Sequence, residues 1–328
     1  MQPDQSEDLT AALARARAPV PVHPRPAASP MLRLRTRPEA HRLIPPALTL
    51  ALAERRGLAN WRAQSEPYHA ALAATQAIVA GTRRADEVDE LTRRRLIEIE
   101  IHEALYWRPW PPPAIDEESR ENLFSAIATG RGVMISCCHL GPFFLGATGI
   151  CSLGVELYST TGPWLLEPPA AGYWGRRVDR WIREIAARGE HLISTTGAFD
   201  VIRVLLEEGR LVKLFFDMPG GTRTSFLGKP VMLASGSARL AWMTGALVVP
   251  MHIHRSGHRG GLRFGTPIDS TAHDGHEPLH LALASIHESA ILEDPPGLED
   301  PNRPGGWEHR ALPSGWLRPQ DDSPPASA

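Results

Sequence analysis

Residues 136–146 read SCCHLGPFFLG, and this stretch decides the fold that we predict for the chain. The apolar run 133–136 predicts a short buried strand, and the glycine–proline pair at 141–142 predicts a turn into a helix over 142–152. His139 therefore stands where a strand ends and a helix begins. Because ligands collect at the carboxyl ends of strands in α/β sheets, we expect His139 at a functional edge.

Strand-like and helix-like segments alternate along the chain around this stretch. Short apolar strands are predicted at 133–136, 155–159, 192–194, 211–216 and 247–253. Helices are predicted at 117–129, 142–152, 173–187, 199–208, 235–244 and 278–292. Strands separated by helices of this length indicate an α/β fold, with a mostly parallel sheet flanked by helices.

The composition divides the chain into four segments. Residues 1–40 are rich in Pro, Ala and Arg and are predicted to form a disordered leader. Residues 41–115 are predicted to be an N-terminal helical portion, and residues 116–312 the α/β domain. We expect residues 313–328 to form a second disordered segment, a C-terminal tail.

Bulk composition narrows the range of functions. The chain has 328 residues, 42% hydrophobic content and a formal net charge of −2, so it can bury a core and nothing points to a nucleic-acid partner. The three cysteines, Cys137, Cys138 and Cys151, cluster in one apolar region, which is typical of a reduced cytoplasmic protein. No secretory signal is visible.

One apolar segment raises the question of membrane contact. Residues 43–53 read LIPPALTLALA, which is too short to cross a bilayer, since a spanning helix needs about 20 apolar residues. A buried helix is the favoured interpretation. Peripheral contact of a cytoplasmic protein with the inner membrane is the alternative.

His139 is the first candidate for chemistry. The N–H groups of a helix beginning near Pro142 would point at the His139 turn, which suits a histidine base beside an anionic or oxyanion-like group. The alternative is a turn histidine without a chemical role. Asp217 follows the apolar strand 211–216 and is expected at the same edge of the sheet. No G-x-S-x-G motif is present, which disfavours a serine hydrolase.

Several sequence blocks then occur in a fixed order. They are HLG at 139–141, LLEEGRLV at 205–212 leading to FFD at 215–217, FLGKP at 226–230, ASGSARLA at 234–241 and MTGALVVP at 243–250. With these blocks, residues 131–310 resemble the lysophospholipid acyltransferase superfamily. Within it, the chain is most similar to the bacterial lipid A biosynthesis late acyltransferases, a family that includes the mycobacterial phosphatidylinositol mannoside acyltransferases.

The resemblance implies transfer of an acyl group from a thioester of acyl carrier protein or coenzyme A to a hydroxyl or amine. It implies His139 as the general base of an H-x4-D/E motif, in which the carboxylate orients the imidazole. That carboxylate position is Phe144 in this chain, so the motif is incomplete. Phenylalanine can neither accept a hydrogen bond nor offset a positive charge.

The missing carboxylate leaves three interpretations open. His139 works alone or with another acid, for which Asp217 ranks before Glu156 and Asp179. Alternatively, a cysteine takes the acyl group covalently beside His139, and strand alternation favours Cys137 for this. In the third interpretation, the site retains binding without catalysis.

The remaining site candidates concern binding. The helix over 173–187 carries four arginines, of which Arg176 and Arg177 are expected to contact an acidic carrier protein or the phosphates of its pantetheine arm, unless this face is merely solvated. Arg188 lies near the position of a family arginine thought to sit by the active site, and Gly141 and Phe144 belong to the substrate-binding turn. His252 and His254 alternate on a strand, but no metal site and no cofactor are expected.

We therefore expect an acyltransferase with a small-molecule or lipid acceptor. Family members of the lipid A type carry an N-terminal membrane anchor, and this chain shows no convincing one. Together with Phe144, this favours an enzyme repurposed for a specialised biosynthetic pathway. The alternatives are a non-catalytic protein that binds acyl chains or carrier proteins, and an enzyme of the same fold with altered chemistry on a carrier-bound intermediate.

Overall fold

A computed structural model describes residues 9–299 of the protein. The helices are α1 (Leu9–Arg17), α2 (Pro30–Arg35), α3 (Pro38–Arg42), α4 (Pro46–Ala63), α5 (Glu66–Val79), α6 (Val88–Tyr106), α7 (Glu117–Ala128), α8 (Gly146–Cys151), α9 (Tyr173–Arg188), α10 (Ala198–Glu207), α11 (Gly236–Thr244) and α12 (His276–Glu293). The strands are β1 (Ala114–Ile115), β2 (Val133–Cys137), β3 (Tyr158–Thr161), β4 (His191–Ser194), β5 (Leu211–Phe215), β6 (Pro219–Phe226), β7 (Lys229–Leu233), β8 (Leu247–Ser256), β9 (Arg259–Phe264) and β10 (Ile268–Asp269).

Eight strands form the main sheet, in the order β1-β9-β8-β2-β5-β3-β4, with β10 paired to β8. The neighbours from β8 through β2, β5 and β3 to β4 are all parallel. Strands β9 and β10 run antiparallel to β8. The α/β fold with a mostly parallel sheet is therefore confirmed.

Side chains alternate between two apolar layers across β2. Met134 packs in a core with α10, α11 and α12, whereas Val133 and Ile135 pack in a second core with α7 and α8. All five residues of β2 are buried. A strand buried on both faces explains why its sequence is a continuous apolar run.

Residues 1–40 are predicted to form a disordered leader. The described part of this segment, residues 9–40, is instead partly helical. It contains α1, α2 and most of α3. Arg17 bonds Glu208 through a guanidinium nitrogen at 2.6 Å, Ala16 is buried, and His23 bonds the carbonyl of Leu166. The Pro- and Arg-rich composition did not predict this order, because it depends on a few side chains that contact the α/β domain.

The N-terminal helical portion is helical as predicted, and α6 includes the LIEIEI run at 96–101, whose alternation resembles a strand. The predicted domain boundary between residues 115 and 116 separates β1 from the α/β domain. In the structure β1 pairs with β9 and so belongs to the sheet. The predicted tail at 313–328 and residues 300–312 lie outside the described residues. Over residues 9–299, no helix is both long and apolar enough to cross a membrane.

The sequence analysis did not predict the hairpin β6–β7 or strand β9. The hairpin turns at Leu227 and Gly228, which both have positive φ. Its exposed strand β6 begins PGGT, a composition that indicates a loop. Pairing with β7 supplies the backbone hydrogen bonds that the local sequence does not predict.

Two buried histidines, His280 and His287, and the half-buried His252 form a cluster. The rings of His280 and His287 each lie 5.0 Å from the ring of Phe216, and His252 meets His287 at 5.5 Å. His287 bonds Ser136 and His280 bonds Thr224, at 2.8 and 2.7 Å. Burial lowers the pKa of His280 and of His252 to about 4.

These histidines should make the fold sensitive to acid. His280 takes up a proton near pH 6.5 in the unfolded chain but, because burial lowers its pKa, only near pH 4 in the folded chain. The free energy of unfolding therefore falls as pH drops through this window. His280→Gln retains a partner for Thr224 without titrating, so between pH 7 and pH 5 it should lose about 2 kcal/mol less than wild type.

Urea unfolding at the two pH values measures this difference. The exposed His258→Gln is the matched control and should behave as wild type. An equal loss of stability in wild type and His280→Gln would contradict the assignment.

Candidate active site

His139 and Asp217 meet because they follow neighbouring parallel strands. Cys137, at the end of β2, is in register with Phe215, at the end of β5. Two residues further along each strand, the chain reaches His139 and Asp217. The parallel register thus brings the two side chains together at the carboxyl edge of the sheet.

The Asp217 carboxylate holds His139 at two points. Its Oδ1 lies 2.9 Å from the ring Nδ1, and its Oδ2 accepts the backbone N–H of His139 at 2.9 Å. Both residues are buried. Facing an ionised carboxylate, Nδ1 is the nitrogen that carries the proton, so the lone pair of the neutral ring lies on Nε2.

Two aromatic rings complete the surroundings of the imidazole. The His139 ring lies flat on Phe215, with centroids 3.7 Å apart and planes 11° apart, and Phe143 meets it edge-on at 5.1 Å. An aromatic face attracts a cation, so Phe215 can favour the protonated ring as well as position it. Neither ring was predicted from the sequence. Phe215 could have been, because it lies two residues before Asp217 and strand alternation places both side chains on the same face.

The turn after His139 is fixed by backbone contacts with the segment after α12. Gly297 accepts from the N–H of Gly141, and Glu299 donates to the carbonyl of His139, each at 2.8 Å. Gly141 has φ +64°, and a Cβ there would stand 2.4 Å from the carbonyl oxygen of Ile253. Gly141 thus shapes the turn, and the substrate contact predicted for it stays untested.

Phe144 packs among aromatic residues of the N-terminal helical portion. Its ring packs against Tyr106 at 5.0 Å and Trp110 at 4.8 Å, in a buried aromatic cluster that also includes Trp107. Position 144, where the resemblance implies a carboxylate, thus holds an aromatic ring, and the carboxylate that contacts His139 is that of Asp217. This contact comes from another strand, so no local motif reveals it.

The helix expected after Pro142 is shorter than predicted. A single 3-10 turn, Phe143–Leu145, precedes α8, which has six residues. Few aligned peptide groups point at His139, so the helix-end electrostatics that we expected contribute little. The apolar residues at 143–145 are held by the aromatic cluster instead.

The arginines of α9 are largely engaged within the protein. Arg176 donates to Thr36, Arg177 bonds Glu103 and lies over the Tyr106 ring, and Arg180 donates to the carbonyl of Tyr106. The expected basic docking face for a carrier is therefore not presented by Arg176 and Arg180, which are buried. The sequence predicts the positive charges of α9. It does not predict that residues of the N-terminal segments, such as Thr36 and Glu103, pack over these arginines.

Arg188 lies at the end of α9 and keeps capacity for further contacts. Its Nη2 donates to the carbonyl of Trp110 at 3.1 Å, whereas its buried Nε has no hydrogen-bond partner among residues 9–299. The substrate-binding role predicted for it remains a proposal.

The other proposed acids and nucleophiles are placed less favourably. Glu156 pairs with Arg210 and Asp179 with Arg183. Burial raises the pKa of the Cys137 thiol to about 12 and that of Cys138 well above its usual value, which disfavours the thiolate that a covalent route requires. Over residues 9–299, no three His, Cys, Asp or Glu side chains are grouped to hold a metal ion.

Comparison with known proteins gives one curated relative. The chain is 26% identical over 218 residues to a phosphatidylinositol mannoside acyltransferase of Mycolicibacterium smegmatis, and the match covers 60% of this chain and 66% of that protein. The chain thus spans somewhat less than two thirds of its relative. No family model matches it.

Among solved structures, the crystal structure of the 1-acyl-sn-glycerophosphate acyltransferase from Thermotoga maritima aligns with a TM-score of 0.37 and 18% identity. The alignment covers 62% of this chain and 82% of that one.

The position of Phe144 leads to a stability prediction. Phe144→Glu removes an aromatic ring from a buried cluster and inserts a carboxylate, which should lower the free energy of unfolding by about 3 kcal/mol or more. Phe144→Leu, which keeps an apolar side chain, should lose less. Neither variant should gain turnover, because this side chain packs against Tyr106 and Trp110 and Asp217 already bonds the His139 ring. A stable and more active Phe144→Glu protein would contradict this geometry.

Proposed function

From the relationship of this chain to the acyltransferase superfamily, we propose that it transfers an acyl group from a thioester to a hydroxyl or amine acceptor. The donor is an acyl carrier protein or coenzyme A thioester, and the acceptor is a lipid or a small molecule. His139 is the general base and Asp217 its orienting acid.

The single observation that carries this proposal is the double hydrogen bond from Asp217 to His139. A catalytic base needs a fixed ring, a defined tautomer and compensation for the charge it acquires. One buried carboxylate bonds both the ring Nδ1 and the backbone N–H of His139, and so supplies all three. This supports catalysis over the alternative of a site that only binds.

The reaction follows from this arrangement. The acceptor oxygen or nitrogen attacks the thioester carbonyl carbon, and its proton passes to Nε2 of His139. Asp217 and the face of Phe215 stabilise the imidazolium that forms. The C–S bond then breaks, the acyl group stays on the acceptor, and the departing thiolate takes the proton back from Nε2. The histidine returns to its starting state.

The surface formed by α2, α3 and the start of α4 suits contact with a membrane, and we call it the N-terminal apolar face. Met31 is 75% exposed and Leu43 85%, and Leu34 and Leu48 are each at least half exposed. Residues 30–52 contain four arginines and one glutamate. Apolar side chains beside excess positive charge match an anionic bilayer surface, where a lipid acceptor would be found.

The catalytic assignment predicts the behaviour of two variants. His139→Ala should lower kcat/KM by about 10²–10⁴-fold because the base is lost. Asp217→Asn can still accept the backbone N–H of His139, but it cannot balance the imidazolium, so it should also lose at least about tenfold. Mass spectrometry of thioester panels, with and without amine and alcohol acceptors, measures turnover and identifies the product.

Asp179→Asn is the matched control, since it also converts a buried carboxylate that pairs with a cation into an amide. It should retain turnover. Full activity in His139→Ala or Asp217→Asn would refute the proposed base and its partner. The product mass would further distinguish acyl transfer from hydrolysis or cyclisation of a carrier-bound chain. The identity of the accepted acceptor would show whether the enzyme serves a specialised biosynthetic pathway.

The N-terminal apolar face makes a separate prediction. Wild-type protein should sediment with vesicles that contain phosphatidylglycerol and much less with pure phosphatidylcholine vesicles, and the Leu43→Asp/Leu48→Asp variant should lose most of this binding. Phe124→Asp replaces another exposed apolar residue, on α7 and outside this face, and serves as control. Equal binding of wild type and the double variant would exclude this face as the contact.

A further inference from the structure

A group of buried polar side chains lies on the sheet beside the proposed catalytic pair. Lys213 of β5 and Ser159 of β3 are register partners, so their side chains share one face of the sheet. Glu190, just before β4, places its Oε1 3.5 Å from the Lys213 Nζ. Thr161 follows Ser159 by two residues and faces the same side. We call Ser159, Thr161, Glu190 and Lys213 the polar cluster.

The cluster is deeply buried and poorly satisfied. Each of its four side chains belongs to a residue that is at least 94% buried. Within residues 9–299, the hydroxyls of Ser159 and Thr161 and both carboxylate oxygens of Glu190 have no hydrogen-bond partner, although Glu190 Oε1 is ion-paired with Lys213. Buried polar atoms are normally hydrogen-bonded, so these side chains have capacity for further hydrogen bonds. The buried Nε of Arg188, from the adjacent helix end, adds an unpartnered donor.

The cluster adjoins the proposed site through one aromatic ring. Phe215 lies two residues after Lys213 on the same strand face, with the Lys213 Nζ 5.8 Å from its ring centroid. The opposite neighbour of Phe215 is the imidazole of His139, at 3.7 Å. The pairing of β3 with β5 ends at Ser159 and Lys213, so the two strands are no longer joined at the level of Phe215. A substrate group bound at His139 would have to pass here to reach the cluster.

We propose that the polar cluster is a substrate subsite for an uncharged hydrogen-bonding group, a hydroxyl or an amide. The charges of Lys213 and Glu190 balance, so an ionic group would meet one like charge at close range. A hydroxyl or amide both donates and accepts hydrogen bonds. It can therefore pair with the Glu190 carboxylate, with the hydroxyls of Ser159 and Thr161, and with the Nε–H of Arg188. An unsubstituted alkyl chain would leave the two hydroxyls and the second carboxylate oxygen of Glu190 without partners.

This inference rests on the proposed function and adds the chemical class of its substrate. The hydrogen-bonding group belongs either to the acyl group or to the acceptor, since both approach His139. In either case the subsite discriminates by the cost of leaving buried polar atoms unpaired, which selects strongly against an analogue that lacks the group.

The test compares matched substrate pairs. One arm uses thioesters of equal chain length, with and without a hydroxyl, and a constant acceptor. The other arm uses a constant donor and acceptors with one or several hydroxyls. Wild type should prefer the more hydroxylated member of one pair by about 5- to 140-fold in kcat/KM. The arm that shows the preference identifies its source.

The variant Lys213→Met/Glu190→Leu replaces the ion pair by apolar residues of similar size, a change that folded proteins often accept. It should lose the preference and still turn over the unsubstituted substrate. Arg131→Met/Asp269→Asn removes an ion pair at the opposite end of β2 and should keep the preference. Thermal unfolding verifies that each variant is folded.

The outcomes separate this inference from the proposed function. Turnover that depends on His139 but shows no preference in either arm, or a preference that survives in the double variant, overturns the subsite. If no thioester is consumed, calorimetric titration with hydroxylated and plain acyl-N-acetylcysteamine thioesters and with the two classes of acceptor tests it by binding. Equal affinities of wild type for all members of these pairs would also overturn it.

Discussion

The double hydrogen bond between Asp217 and His139 is the constraint on which the site depends. It exists because β2 and β5 are parallel neighbours with Cys137 and Phe215 in register, so the residues that leave the two strands arrive together. The segment at 297–299 then fixes the His139 turn through its own backbone. A histidine held at its ring, its amide and its carbonyl has little freedom, as the role of base proposed for it requires.

The side chains around this pair divide the site into different environments. Towards the N-terminal helices, Phe144 belongs to an aromatic cluster that leaves no place for the family carboxylate. Towards β3 and β4, the interior becomes polar at Lys213 and Glu190. Phe215 separates the imidazole from that polar cluster. The site thus has apolar side chains on one side and hydrogen-bonding groups on the other. Such a site suits a substrate with one apolar and one polar part.

Much of the fold could be predicted from local sequence because the periodicities are strong. The apolar run of β2 and the amphipathic spacing of α10 both give short-range signals that the structure bears out. The exceptions have physical reasons. Hairpin β6–β7 is held by cross-strand pairing at a sequence rich in glycine, and α8 is cut short by aromatic packing around Phe144. Residues 9–40 look disordered by composition, yet Arg17 and His23 bond residues far along the chain.

By itself, the sequence determined the α/β class, the position of His139 after a buried strand, and the absence of a carboxylate at Phe144. All three depend on neighbours in the chain, because hydrophobic periodicity and turn residues act over a few positions. Tertiary structure decided the partner of His139, the engagement of the α9 arginines and the meeting of Lys213 with Glu190. These depend on which strands become neighbours, and residues 78 positions apart, such as His139 and Asp217, leave no local pattern that records their contact.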